Sequence, residues 1–152
     1  VSIKWPNDIY VDDLKICGIL IENTLCGINI SQSIVGVGLN VNQREFLSEA
    51  PNPISIINYI DRELFLDDLL EEVTEEMVAT FNHYDSTQAF DMLHDEYCSM
   101  LWRNDGFYPY STPQGERFSA RITNVAPDGI LTLCDDQGNS RSFAFKEVMA
   151  IL

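Results

Sequence analysis

Two long apolar runs occupy the first third of the chain and restrict how it folds. Residues 15–24 and residues 28–41 are rich in Ile, Val and Leu, and Leu25-Cys26-Gly27 turns one into the other. Runs of this composition bounded by turn residues read as strands, and so short a link makes them neighbours in one sheet. Gly36 and Gly38 interrupt the second run. A glycine inside a strand marks a bulge or a place where something packs close to the backbone.

Upstream, residues 1–5 and 9–11 are shorter strand candidates, with Pro6-Asn7-Asp8 and Asp12-Asp13 as polar breaks. Lys15 stands between the second break and the long apolar run, and Gly18 follows three residues later. A cation beside backbone that a ligand can approach is the chemistry of an anion-binding floor. That pattern names no substrate.

From Asn42 to Pro53 the composition turns polar, and Pro51-Asn52-Pro53 continues neither a helix nor a central strand, so this stretch reads as a loop. Residues 54–60 suit a short helix. Leu66, Leu69, Leu70, Val73, Met77, Val78 and Phe81 recur at helical spacing. Asp85-Ser86-Thr87 is expected to break that helix, with Ser86 or Thr87 capping a second whose apolar face is Phe90, Leu93, Tyr97 and Met100 or Leu101. Both helices are expected to cover one face of the sheet, their apolar stripes serving as core.

After Trp102 the pattern changes to short alternating segments over residues 106–111, 116–126, 129–134, 140–145 and 148–152. Pro127-Asp128-Gly129 and Asp135-Asp136-Gln137-Gly138-Asn139 are hairpin-type links, so this part reads as a small antiparallel barrel.

Charge limits the partners. With nine Lys and Arg and a formal net charge of -15, the chain is poorly suited to nucleic acid, whose binding rests on neutralising phosphates. No apolar run approaches the roughly 20 residues needed to cross a bilayer. Cys17, Cys26, Cys98 and Cys134 are widely spaced and lack a CxxC pair, which suits small core residues in a reducing cytoplasm. His83 and His94 fit no metal motif and read as solvated helix residues.

Three motifs in register, Lys4-Trp5-Pro6-Asn7-Asp8, Lys15-x-x-Gly18-Ile19-Leu20-x-Glu22 and Val35-Gly36-Val37-Gly38-Leu39-Asn40-Val41, resemble the second half of the catalytic domain of the biotin protein ligases. The resemblance implies an α+β fold. Residues 1–103 would form a mixed or antiparallel sheet covered by helices, part of a class II aminoacyl-tRNA synthetase-like domain, and residues 104–152 an SH3-like barrel. It implies ATP-dependent formation of biotinyl-5'-AMP and transfer of biotin to a lysine of a biotin carboxyl carrier protein, with ATP and magnesium as cofactors.

Carried over residue by residue, the resemblance assigns catalysis to Lys15 and Asp8. Biotin contact falls to Lys15, Gly18, Gly36 and Gly38, and ATP contact to Lys4, Asn7 and Asn40. Lys15 would neutralise charge on the reacting phosphate, a task an ammonium performs well in a partly dry site. Asn40 would offer adenine the donor and acceptor of its amide. Asp8 would orient the acceptor lysine or help hold magnesium. Trp5 is expected to pack its turn, and Asp12 and Glu22 to lie at the rim.

Val1 opens directly into an apolar stretch, and in the resembled family a Gly/Arg-rich loop that closes over biotin and its adenylate would come before it. By itself the chain is therefore expected to be weakly active or inactive. Two other readings stay open. One is a non-catalytic assembly module whose exposed strand edge pairs with a second copy, giving a homodimer; the other is a lipoate-type ligase.

Overall fold

The computed structural model describes residues 1–47, 51–87 and 89–152. In chain order the elements are β1 (Ser2–Lys4), β2 (Asp8–Val11), β3 (Leu14–Cys26), β4 (Asn29–Leu39), α1 (Ile57–Ile60), α2 (Leu66–Thr87), α3 (Phe90–Ser99), β5 (Tyr108–Ser111), β6 (Arg117–Val125), β7 (Leu131–Asp135), β8 (Ser140–Phe143) and β9 (Met149–Ala150). They fall into two compact units, one of Val1 and Asn7–Gln88, the other of Ser2–Pro6 and Ala89–Leu152. The architecture mixes helices with antiparallel sheets.

In the first unit β2, β3 and β4 run antiparallel in that order. Cys26 pairs with Asn29, so Gly27-Ile28 forms a two-residue hairpin link, and Gly27 takes a φ of +64° that suits glycine at this turn. The far part of the β3–β4 ribbon is exposed along its length. Burial concentrates at the other end, where Tyr10, Ile16 and Cys17 join Ile57 of α1.

Residues 52 and 53, expected as loop, and Ile54, expected in a short helix that in fact starts at Ile57, hold that end in place. The Lys15 N–H donates to the Asn52 carbonyl at 2.8 Å, and the Ile54 N–H donates to the Lys15 carbonyl at 2.9 Å. Lys15 thus forms a parallel bridge with Pro53, a residue with no N–H to leave unpaired. Residues 48–50 of the expected loop lie outside the described residues.

The second unit is a five-stranded antiparallel sheet in the order β8-β7-β6-β5-β9. Its core is Leu101, Tyr110, Ala120, Val125, Leu131, Leu133, Phe143 and Val148. Strand β1 belongs here: the Ile3 N–H donates to the Met100 carbonyl and the Trp102 N–H to the Ile3 carbonyl, both at 2.8 Å. Trp5 is anchored by its Nε1 donating to the Gly129 carbonyl at 3.0 Å, and Tyr97 donates its hydroxyl to the Pro6 carbonyl at 3.1 Å. At the β7–β8 link, Asp135 Oδ1 accepts the backbone N–H groups of Gln137 and Asn139.

Three expectations are corrected. Ser86 and Thr87 do not cap a new helix; their hydroxyls donate back to the His83 carbonyl at 3.0 and 2.7 Å, and α2 continues through Thr87. Such back-bonding is open to hydroxyl side chains inside a helix as well as at its start. The helices do not jointly bury their stripes on one sheet: α3 groups with the second unit, and neither α2 nor α3 has a buried residue. Periodicity identifies an apolar face and is silent about what meets it. Among the cysteines only Cys17 is buried, while Cys26 is exposed in the hairpin and Cys98 and Cys134 are half-buried.

Candidate functional site

Successive side chains of a strand point to opposite faces, so Lys15 and Gly18, an odd number of residues apart, belong on opposite faces of a regular strand. The structure removes that conflict with a bulge. Asp8 pairs with Gly18 and Ile9 with Cys17, but Tyr10 pairs with Lys15, which leaves Ile16 as the extra residue. Residues directly opposite share a face, as do Asp8 and Tyr10. Asp8, Tyr10, Lys15 and Gly18 therefore line one face.

The β3–β4 register adds two glycines to that face, because Gly18 lies opposite Gly38 and Leu20 opposite Gly36. The result is a strip of three glycines, flanked by the exposed side chain of Leu20, with charge at one end. There Lys15 Nζ lies 2.7 Å from Asp8 Oδ1, with the two side chains 35% and 26% exposed. An ammonium has three N–H donors, so the pair leaves capacity for an incoming anion.

Space over the strip is open. A methyl group added at Gly36 would meet nothing of this chain closer than 3.9 Å, and at Gly38 nothing closer than 3.6 Å. Internal packing does not demand glycine at these positions. Behind the strip, burial pushes the Cys17 thiol above its ordinary range; Asp8 adds in the same direction, and Lys15 and the Gly38 backbone oppose it.

The two asparagines are already engaged. Asn7 donates its side-chain amide to the Ile19 carbonyl, and the Ile19 N–H donates to the Asn7 carbonyl at 3.1 Å, which clamps the turn beside Asp8. Asn40 donates its amide to the Ile54 carbonyl at 3.0 Å, so its carbonyl oxygen is the part left to face a ligand. Lys4 belongs to the second unit, with its ammonium 5.9 Å from the centre of the Trp102 ring. Asp12 and Glu22 are exposed, as rim groups should be.

A single carboxylate such as Asp8 would hold magnesium only together with the phosphates of a ligand. That carboxylate is already ion-paired, and the described residues contain no cluster of three His, Cys, Asp or Glu able to hold a metal.

The profile of the Biotin/lipoate A/B protein ligase family matches residues 1–40, which contain all of this face. The Escherichia coli bifunctional ligase/repressor BirA is 43% identical over 44 residues, covering 29% of this chain and 14% of that protein. Biotin--protein ligase 2 of Arabidopsis thaliana is 27% identical across 94% of this chain and 46% of its own length. The chain is related to biotin protein ligases. It spans less than half the length of these curated relatives. A solved biotin protein ligase from Aquifex aeolicus, in complex with biotin and ATP, has the same fold, with a TM-score of 0.72 at 20% identity over 99% of this chain and 61% of that one.

In this biotin ligase relative, sequence reasoning missed two contributors to the site. Asn52 and Ile54 fix the Lys15 backbone, and the rigid Pro51-Asn52-Pro53 was the available signal for a strand-like edge there. The Ile16 bulge had one signal, the odd separation of Lys15 from Gly18. No helix is long and apolar enough to cross a membrane, among the described residues.

Proposed function

We propose that this chain is the part of a biotin protein ligase that carries the adenylation charge and the acceptor-facing carboxylate. The observation that supports the reading is the Lys15–Asp8 pair, 2.7 Å apart, at the end of the glycine-lined strip. Over residues 1–103 the fold is read as part of a synthetase-like catalytic domain, and over residues 104–152 as an SH3-like domain.

In the proposed first step a biotin carboxylate oxygen attacks the α-phosphorus of ATP. The bond from that phosphorus to the β-bridging oxygen breaks, pyrophosphate leaves, and a mixed anhydride remains. Lys15 lies where charge builds on the α-phosphate and stabilises it there. Gly36 and Gly38 leave room for the biotin rings, and the Asn40 carbonyl faces the adenine amino group. Magnesium enters only as the counter-ion of ATP.

In the second step the amine of a carrier-protein lysine attacks the anhydride carbonyl, AMP leaves, and the amine loses a proton. Asp8 attracts that lysine as an ammonium and holds it near the carbonyl, where it first gives up one proton to solvent to become the attacking amine. The amine exchanges for Lys15 as the partner of Asp8 once Lys15 has turned to the phosphate.

The test is biotin-dependent exchange of labelled pyrophosphate into ATP by the full-length protein, with lipoate as the alternative acid. Exchange with biotin and not with lipoate is expected. Exchange with lipoate alone moves the assignment to the lipoate branch of the matched family, and exchange with neither defeats the ligase reading.

A further inference from the structure

We propose that Gly18 is a positioning residue for Lys15: its bare α-carbon is the surface on which the lysine side chain lies, and this sets where the ammonium meets Asp8. This deepens the ligase reading and rests on it for its catalytic consequence. A Cβ built at Gly18 would lie 3.2 Å from both Cε and Nζ of Lys15 and 3.5 Å from Asp8 Oδ1. The first two separations are tighter than ordinary carbon contacts, whereas the same operation at Gly36 and Gly38 meets nothing closer than 3.6 Å.

The three glycines of this face therefore have different tasks. Gly36 and Gly38 keep space open above the strip. The space above Gly18 is already filled by this chain's own lysine, and the ammonium rests there because the bulge at Ile16 brings Lys15 to the face on which Asp8 and Gly18 pair. Gly18 has no positive φ to require a glycine. Its need for hydrogen in place of a methyl group comes from the neighbouring side chain. A methyl group there makes the flexible end of Lys15 give by a few tenths of an ångström, which shifts where the ammonium rests against Asp8 and from where it reaches the phosphate.

The experiment compares Gly18→Ala with Gly36→Ala in the full-length protein. In pyrophosphate exchange Gly18→Ala is expected to lower kcat at least tenfold while the KM for biotin changes less than threefold, and Gly36→Ala to raise the KM for biotin with kcat nearly unchanged. A Gly18→Ala variant that raises the biotin KM and keeps kcat would overturn the proposal, because Gly18 would then be a point of ligand access. A second readout is independent of turnover: nuclear Overhauser contacts between Lys15 Hε and Gly18 Hα in the wild type, and a crystal structure of Gly18→Ala. A shift of the ammonium against Asp8 in that structure supports the proposal even if no biotin-dependent exchange is found. An unmoved ammonium, or absent Overhauser contacts, overturns it even if exchange is strong.

Discussion

Replacing Lys15 by alanine removes the ammonium that faces the proposed reaction centre, and the structure bounds the cost. Losing one preorganised donor or charge from such a site costs about 10²–10³ in rate, or roughly 2.7–4 kcal/mol. The Lys15 side chain is 35% exposed, so water screens it in part and the lower end applies. We expect Lys15→Ala to slow biotin-dependent pyrophosphate exchange by about 100-fold. Two contributions make up that loss. The phosphate loses a cation, and it gains an unscreened neighbour, because Asp8 is no longer paired.

The second contribution can be isolated. In Lys15→Ala with Asp8→Asn, the repulsive carboxylate is gone while the cation is still missing, so exchange should recover by several-fold over the single variant. Groups in direct contact are where such non-additivity is expected. Lys15→Arg should recover little, because a planar guanidinium does not lie over Gly18 as a compact ammonium does. The assay is initial-rate exchange at saturating ATP with biotin varied. Lys15→Ala exchange within threefold of the wild type would falsify the charge argument, and a double variant slower than the single would remove the part assigned to Asp8.

Two further predictions concern stability. Burial pushes the hydroxyls of Tyr97 and Tyr110 up to about 12, so the stability they contribute is complete below pH 10 and lost as pH rises toward 12. Phenolate absorbance should show these two ionising together with alkaline unfolding; full ionisation by pH 11 in still-folded protein contradicts it. Leu133→Ala opens a cavity in the core and should destabilise by about 2–5 kcal/mol, whereas Leu25→Ala, 65% exposed on the hairpin, should cost under about 0.5 kcal/mol. Urea midpoints of equal size for the two would refute the placement of the core.

Local chemistry made much of this fold legible. The hairpin at Gly27, the amphipathic stretch of α2 and the five strands after Trp102 follow from turn residues and periodicity, because each signal lies within a few residues of what it determines. The end of α2 was misread because Ser86 and Thr87 carry hydroxyls that serve a helix start or a helix interior equally well, and only the contact with the His83 carbonyl decides between them. The placement of Ser2–Pro6 with the second unit was not legible at all. It depends on Trp5 reaching Gly129 and Tyr97 reaching Pro6, contacts between residues far apart in the chain.

The candidate site lies between these cases. Its residue types were visible as motifs, yet motifs do not say which residues share a face. Lys15 and Gly18 look incompatible as face-mates from their spacing, and the extra residue Ile16 reconciles them. Once that bulge is in place, one register determines the rest: Asp8 faces Gly18, Gly18 faces Gly38, and Gly36 follows two residues along. A single inserted residue thus turns a scattered set of motifs into a charged pair beside an open strip. The same pairing gives the two proposed steps an order. While Lys15 neutralises Asp8, the carboxylate attracts an acceptor ammonium only weakly, and it becomes a strong attractor when an adenylate phosphate draws Lys15 away, at the moment an acceptor is useful.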